Sequence, residues 1–91
     1  MVFLYSTITT EITMTNFTEN VFISHGYSIF ITAERDLYFD EVLMEGNNGS
    51  NTTLAKVYGQ FNDLNSVYNS NTLLGYFDLL SNFSTLNVAV S

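Results

Sequence analysis

Few side chains in this sequence are suited to acid–base or nucleophilic chemistry, and they are scattered along the chain. His25 is the only histidine and there is no cysteine, so a nucleophilic triad or a Cys–His metal centre would depend on one imidazole. His25 stands beside Gly26 between two β-rich runs, where a solvent-exposed turn residue is the simpler interpretation. We therefore expect no catalytic residue, no metal site and no cofactor.

Carboxylates are the remaining candidates for acid–base chemistry, and Asp36, Asp40 and Glu41 lie close together in the sequence. Asp40 and Glu41 are adjacent, so a strand would point them to opposite faces. The oxygen-rich segment from Glu45 to Asn51 offers ligands for calcium, but its spacing does not match the EF-hand loop. The sequence therefore predicts a protein that is not an enzyme.

The composition describes one small acidic domain spanning residues 1–91. The apolar share is 46%, the aromatic share is 15%, and the formal net charge is −7. Such a chain can bury a core, and it is too apolar for a disordered tail. Its only cations are Arg35 and Lys56, which are too few to bind a phosphate backbone or an anionic membrane. We expect neither nucleic acid nor membrane as a direct partner.

The apolar stretches are too short to cross a bilayer. The longest uninterrupted run is Met1 to Tyr5, whereas a membrane-spanning helix needs roughly 20 residues. No basic residue precedes that run, and Ser6 and Thr7 end it early, so it does not match a secretory signal. This pattern favours the cytoplasm.

Acidic residues are concentrated in one segment. Five of the nine acids lie between Glu34 and Glu45, and two aromatic residues stand among them. A solvated, solubilising face is one interpretation. The other is docking on the basic, nucleic-acid-binding surface of a partner protein, as small acidic inhibitors of viruses and phages do by mimicking nucleic acid. The candidate protein-binding residues are Glu34, Asp36, Tyr38, Phe39, Asp40, Glu41 and Glu45.

Assembly through strand edges is the alternative function. The segment Val2–Met14 alternates apolar and polar residues and carries a single charge at Glu11, so it lacks the lysines and prolines that usually guard an edge strand. A homo-oligomeric structural subunit of a virion or filament would have this composition.

The elements that would position these residues follow from the local pattern. Alternation predicts strands at 2–14, 52–58 and 85–90, and a turn at 16–20. The runs Val21–Ser24 and Tyr27–Thr32 flank His25-Gly26 as in a tight antiparallel hairpin. The segment 33–45 fits a strand better than a short helix, because a strong loop signal at 46–51 follows it.

The last third of the sequence changes period. Apolar residues recur at three and four positions within 61–68 and 73–83, which predicts two short helices. No internal repeat is convincing. We therefore expect an α+β fold, a mostly antiparallel sheet of four to six strands with one or two C-terminal-half helices on one face. An all-β barrel or sandwich is the alternative.

Overall fold

The computed structural model describes residues 4–23, 26–80, 85–86 and 89–90, and it consists of strands and turns. Within this part of the chain no helix long and apolar enough to cross a membrane occurs. The twelve strands are β1 Leu4–Ser6, β2 Thr10–Thr13, β3 Asn16–Thr18, β4 Ser28–Ala33, β5 Leu37–Asp40, β6 Leu43–Glu45, β7 Asn48–Val57, β8 Phe61–Asp63, β9 Val67–Asn69, β10 Thr72–Leu79, β11 Thr85–Leu86 and β12 Ala89–Val90.

The strands form a β-solenoid, in which the chain completes about three turns between β1 and β10. Sheet A has the order β1-β4-β7-β10, sheet B has β2-β5-β8-β11, and sheet C has β3-β6-β9-β12. Every pairing within these sheets is parallel. Each circuit of the chain thus adds one strand to each sheet. We call these circuits coil 1 (4–18), coil 2 (28–45), coil 3 (48–69) and coil 4 (72–90).

The predicted α+β fold is wrong, and so is the barrel or sandwich. The segment 61–68, expected to be a helix, contains β8 and most of β9, and 73–83 contains most of β10 up to Leu79. The loop expected at 46–51 shrinks to Gly46 and Asn47, because β7 starts at Asn48. Strands of three or four residues separated by corners place apolar residues three or four positions apart, and this spacing imitates a helix.

The predicted antiparallel hairpin is also wrong. Strand β4 pairs in parallel with β1 and β7, while Val21 makes only an isolated parallel bridge with Asn48. The predicted turn residue His25 lies outside the described residues. The predicted strand at 2–14 is divided between sheets A and B, and the predicted strand at 85–90 between sheets B and C. The segment 33–45 contains strands and no helix, but the single strand expected there is divided among the end of β4, β5 and β6, which belong to three different sheets.

The corners of the solenoid repeat from coil to coil in left-handed backbone conformations. Glu19, Gly46 and Ser70 follow the ends of β3, β6 and β9 and have φ values of 53°, 71° and 57°. Strands β3, β6 and β9 are in register, so the same turn conformation recurs on successive coils. Glycine at position 46 adopts this conformation without steric cost.

Three asparagines, Asn20, Asn47 and Asn71, are stacked on successive coils and stabilise the corner between sheet C and the next strand of sheet A. Asn47 is 1% exposed. Its Oδ1 accepts from the backbone N–H and Nδ2 of Asn20 at 3.0 and 2.9 Å, and its Nδ2 donates to Asn71 Oδ1 at 2.8 Å. A further bond runs from Asn47 Nδ2 to the Phe17 carbonyl at 2.9 Å. These bonds satisfy buried polar groups that a turn would otherwise leave unpaired.

The core fills the interior enclosed by the three sheets. Leu37 and Phe61 are in register on sheet B, and each is 0% exposed. The ring of Phe61 also lies 5.2 Å from Phe39 and 4.5 Å from Phe77, measured between centroids. Phe39 and Phe61 of sheet B thus meet Phe77 of sheet A in an aromatic cluster. Residues that alternate with these buried side chains along a strand point outward.

Candidate functional site

A shallow cavity of about 200 Å³ lies on sheet B. Three of its residues occupy one column across adjacent strands, because Glu11 of β2 is in register with Tyr38 of β5, and Tyr38 with Asn62 of β8. Tyr38 faces outward because both of its neighbours, Leu37 and Phe39, are buried in the core. The lining residues are Glu11, Tyr38, Phe39, Asp40, Asn62 and Leu64.

Hydrogen bonds within and between coils hold the acidic groups around this cavity. Asp36, just before β5, accepts from the backbone N–H of Gln60 at 2.8 Å and from the Tyr38 hydroxyl at 3.5 Å. Asp40, at the other end of β5, accepts from Asn65 Nδ2 at 3.1 Å. The carboxylates are thus fixed at both ends of β5. We call the surface formed by Glu11, Asp36, Tyr38, Asp40, Asn62 and Leu64 the acidic face.

The cavity on the acidic face has a negative potential that no cation offsets. The carboxylates of Glu11 and Asp40 line it, and no lysine or arginine does. Asn62 also lines the cavity, but its Oδ1 is buried and has no hydrogen-bond partner among the described residues. This part of the surface is therefore suited to a positively charged hydrogen-bond donor.

Both cations of the chain lie near Tyr58, outside the acidic face. Arg35 lines a second cavity of about 250 Å³ together with Thr7, Glu34 and Tyr58. The Lys56 ammonium lies 5.4 Å from the centroid of the Tyr58 ring, and its hydrogen bond with Tyr58 raises the pKa of Lys56. Positive and negative groups are mixed in this second cavity, so it has no single electrostatic preference.

Asp63 is a carboxyl group enclosed in the core. It is 0% exposed, and the Tyr68 hydroxyl donates to its Oδ2, while Oδ1 has no partner among the described residues. Burial raises the pKa of Asp63, against the opposing effect of hydrogen bonds from Ser66 and Tyr68. Asp63 lines neither of the two cavities described above. Its carboxyl group therefore affects the stability of the fold and does not contact a ligand bound in either cavity.

The structure brings some of the sequence-predicted site residues together and separates others. Asp36, Tyr38 and Asp40 lie on the acidic face. Glu34 lines the second cavity, and Glu45 ends β6 on sheet C. Glu41 is exposed and occupies a corner with φ of 55°. The seven residues therefore do not form one continuous surface.

Phe39 is not an exposed anchor. It is 1% exposed and packs against Phe61 and Phe77, although it also contributes to the lining of the cavity. Glu11, Asn62 and Leu64 line the same cavity but were not predicted from the sequence. Strand alternation favours opposite faces for Tyr38 and Phe39, but only the parallel register shows that Glu11 and Asn62 lie beside Tyr38.

Metal binding has no support in the described part of the chain, where no group of three or more His, Cys, Asp or Glu side chains is placed to hold an ion. Comparisons with protein-family models, curated proteins and solved structures find no match for this chain.

Proposed function

We propose that the protein is a non-enzymatic binding module that docks on the basic surface of a partner protein through the acidic face. The observation that carries the proposal is the cavity on sheet B, which Glu11 and Asp40 line together with Tyr38 and which no lysine or arginine lines. A guanidinium or ammonium group can donate hydrogen bonds to these carboxylates, and charge-assisted hydrogen bonds are the strong ones.

The aromatic and apolar parts of the acidic face add to the same preference. A cation held over a tyrosine ring gains a cation–π interaction of about 0.5–1 kcal/mol at an exposed site. Leu64, which is 51% exposed at the edge of the cavity, offers an apolar contact for the methylene chain of lysine or arginine. Arginine is the better match, because its planar fork can donate to two acceptors at once.

The charge of the whole chain favours the same kind of partner. A net charge of −7 speeds the encounter with a basic surface and repels acidic ones. Surfaces that bind nucleic acid concentrate lysine and arginine. They are therefore the class of partner surface that this module fits best, and the module would act as an inhibitor by occupying them.

The experiment is a calorimetric titration with an arginine-rich peptide at low and at physiological salt. The variant Glu11→Gln/Asp40→Asn removes two charges from the acidic face, and Glu41→Gln/Glu45→Gln removes two charges outside it. We expect the first variant to bind about tenfold more weakly than the second, a difference of about 1.4 kcal/mol, because the amide oxygens of Gln and Asn still accept hydrogen bonds but lack the charge that strengthens them. We also expect wild-type affinity to fall as salt rises.

The matched charge change makes the result decisive. Equal weakening by the two variants would show that only the net charge matters, and binding that is independent of salt would contradict docking through charge. Circular dichroism of both variants checks that the fold is intact, as expected for residues at the protein surface.

A structural subunit joined through strand edges is the second candidate function. It is favoured by the strands at the margins of the described sheets, β1–β3 and β10–β12, which contain neither lysine nor proline, the residues that commonly block edge pairing. The two functions use different surfaces.

A further inference from the structure

Apart from Asn62 in the cavity of the acidic face, the described asparagines fall into two groups. The first group binds neighbouring groups through side-chain hydrogen bonds and consists of Asn20, Asn47, Asn65, Asn69 and Asn71. The second group consists of Asn16, Asn48 and Asn51. These three are exposed, and their side chains make no hydrogen bond with another described residue. The fold therefore does not depend on their amide groups.

The second group also coincides with the acceptor motif for N-linked glycans, Asn-X-Ser/Thr. Its motifs are Asn16-Phe17-Thr18, Asn48-Gly49-Ser50 and Asn51-Thr52-Thr53. None of the other six described asparagines has Ser or Thr two positions later. A chain rich in Asn, Ser and Thr contains such motifs by chance, but chance does not account for their restriction to the exposed asparagines without hydrogen bonds.

Asn16 projects from the outer surface of sheet C. It begins β3, in which Phe17 is buried in the core, so alternation directs Asn16 and Thr18 outward. Asn16 is in register with Leu43 of β6. A substituent on Asn16 extends into solvent without displacing a core side chain.

The Asn48–Asn51 segment begins β7 in sheet A, where pairing with the neighbouring coils is interrupted. Toward coil 2, the pairs that involve Asn48 and Thr52 leave the residues between them without a register partner among the described residues. Toward coil 4, the ladder is irregular opposite the same residues. Asn51 therefore has no register partner in either coil, and a bulky group on its side chain meets no paired strand.

We propose that Asn16 and the Asn48–Asn51 segment are attachment sites for N-linked glycans. In the transfer, Nδ2 of the asparagine forms a bond to C1 of the first sugar of a lipid-linked oligosaccharide. The bond between that carbon and the lipid diphosphate breaks, the lipid diphosphate leaves, and Nδ2 loses one proton. This reaction belongs to the secretory pathway and not to the cytoplasm, which the sequence pattern favoured.

The proposed glycans leave the acidic face uncovered. Asn16 lies on sheet C and the Asn48–Asn51 segment on sheet A, whereas the acidic face lies on sheet B. The described strands of sheet B contain no acceptor motif. Because N-linked glycans are bulky and solubilising, they would cover parts of two sheets and leave the third accessible to a partner.

The test is expression of the full chain in a eukaryotic cell behind a cleavable secretion signal, with glycans counted on a gel before and after endoglycosidase treatment. A fourth motif, Asn82-Phe83-Ser84, lies outside the described residues, so every variant also carries Asn82→Gln. We expect at least two glycans on this background. Asn16→Gln removes one of them, and Asn48→Gln/Asn51→Gln removes the rest.

Two controls separate the acceptor motif from general effects of substitution. Thr18→Ala should remove the same glycan as Asn16→Gln, whereas Thr18→Ser should keep it, because only the hydroxyl is part of the motif. Asn65→Gln changes an exposed asparagine that begins no acceptor motif, and it should leave the number of glycans unchanged.

Absence of a glycan from either proposed site would overturn the proposal. So would a glycosylated protein that is unfolded while the variant without acceptor motifs is folded, since the outward positions must admit a glycan without disturbing the fold. Circular dichroism of the two proteins makes this comparison, and we expect the same spectrum from both. Peptide binding by the variant without acceptor motifs tests the docking function separately, so either proposal can fail alone.

Discussion

Two residues of β8 that are adjacent in sequence have opposite roles. Asn62 lines the cavity of the acidic face, while Asp63 faces inward and keeps a carboxyl group in the core. Strand alternation alone produces this division. The outward residue belongs to the binding surface, and the inward one affects the stability of the fold.

The buried carboxyl group predicts a dependence of stability on pH. Because burial raises the pKa of Asp63, the folded state binds this proton more tightly than the unfolded state does. The contribution of Asp63 to stability is complete below the unfolded pKa, about 3.9. It is lost as pH rises through the raised folded pKa. We expect Asp63→Asn to reduce this loss and to raise the unfolding free energy at neutral pH.

Urea denaturation between weakly acidic and neutral pH measures this effect. The control is Asp78→Asn, which removes one exposed carboxylate. If Asp63→Asn and the wild-type protein lose stability in parallel over this range, the buried carboxyl group does not control the pH dependence. The same conclusion would follow if Asp78→Asn had the effect expected of Asp63→Asn.

Individual strands were easier to predict than the way they pair. The alternation of Ala55, Lys56 and Val57 is present in β7, where Lys56 is the only one of the three that is not buried. The pairing partners could not be derived, because successive coils differ in length. Asn20 and Asn47 are 27 residues apart, but Asn47 and Asn71 are 24 apart, so no constant period marks the repeat.

The candidate site was predictable only where it is continuous in the sequence. Asp36, Tyr38 and Asp40 lie on or beside one strand, and the local excess of acids was sufficient to identify them. Glu11 and Asn62 come from the neighbouring coils and join the site through parallel register. Their place in the site depends on the pairing of strands in the fold, which the local periodicity of the sequence did not predict.

The corner between sheets A and B depends on close approach of two coils. A Cβ atom at Gly59 would lie 2.5 Å from the backbone carbonyl carbon of Arg35 and 2.5 Å from Asp36 Oδ1. We expect Gly59→Ala to destabilise the protein by about 1–3 kcal/mol, since backbone must move to admit the methyl group. Displacement of Asp36 would also weaken binding at the acidic face.

Gly75→Ala is the control for this substitution, because a Cβ atom there meets nothing within 4 Å. Chemical denaturation of the two variants measures the difference. We expect Gly75→Ala to be neutral, or to stabilise by about 0.4–1 kcal/mol through a less flexible unfolded chain. Equal stability of the two variants would contradict the close packing of coils 2 and 3 at this corner.

At the scale of the whole molecule, the acidic face and the two cations lie on different parts of the surface. The acidic face occupies sheet B, and the two cations lie at the second cavity and its surroundings.

The central claim is that cationic side chains bind at the acidic face and not at the other acids. It is tested most directly by nuclear magnetic resonance, with backbone amide shifts followed while an arginine-rich peptide is added. We expect the largest shifts on the adjacent strands β2, β5 and β8, around Glu11, Tyr38 and Asn62. Shifts centred on Glu34 and Tyr58, or spread evenly over all the exposed acids, would contradict the claim.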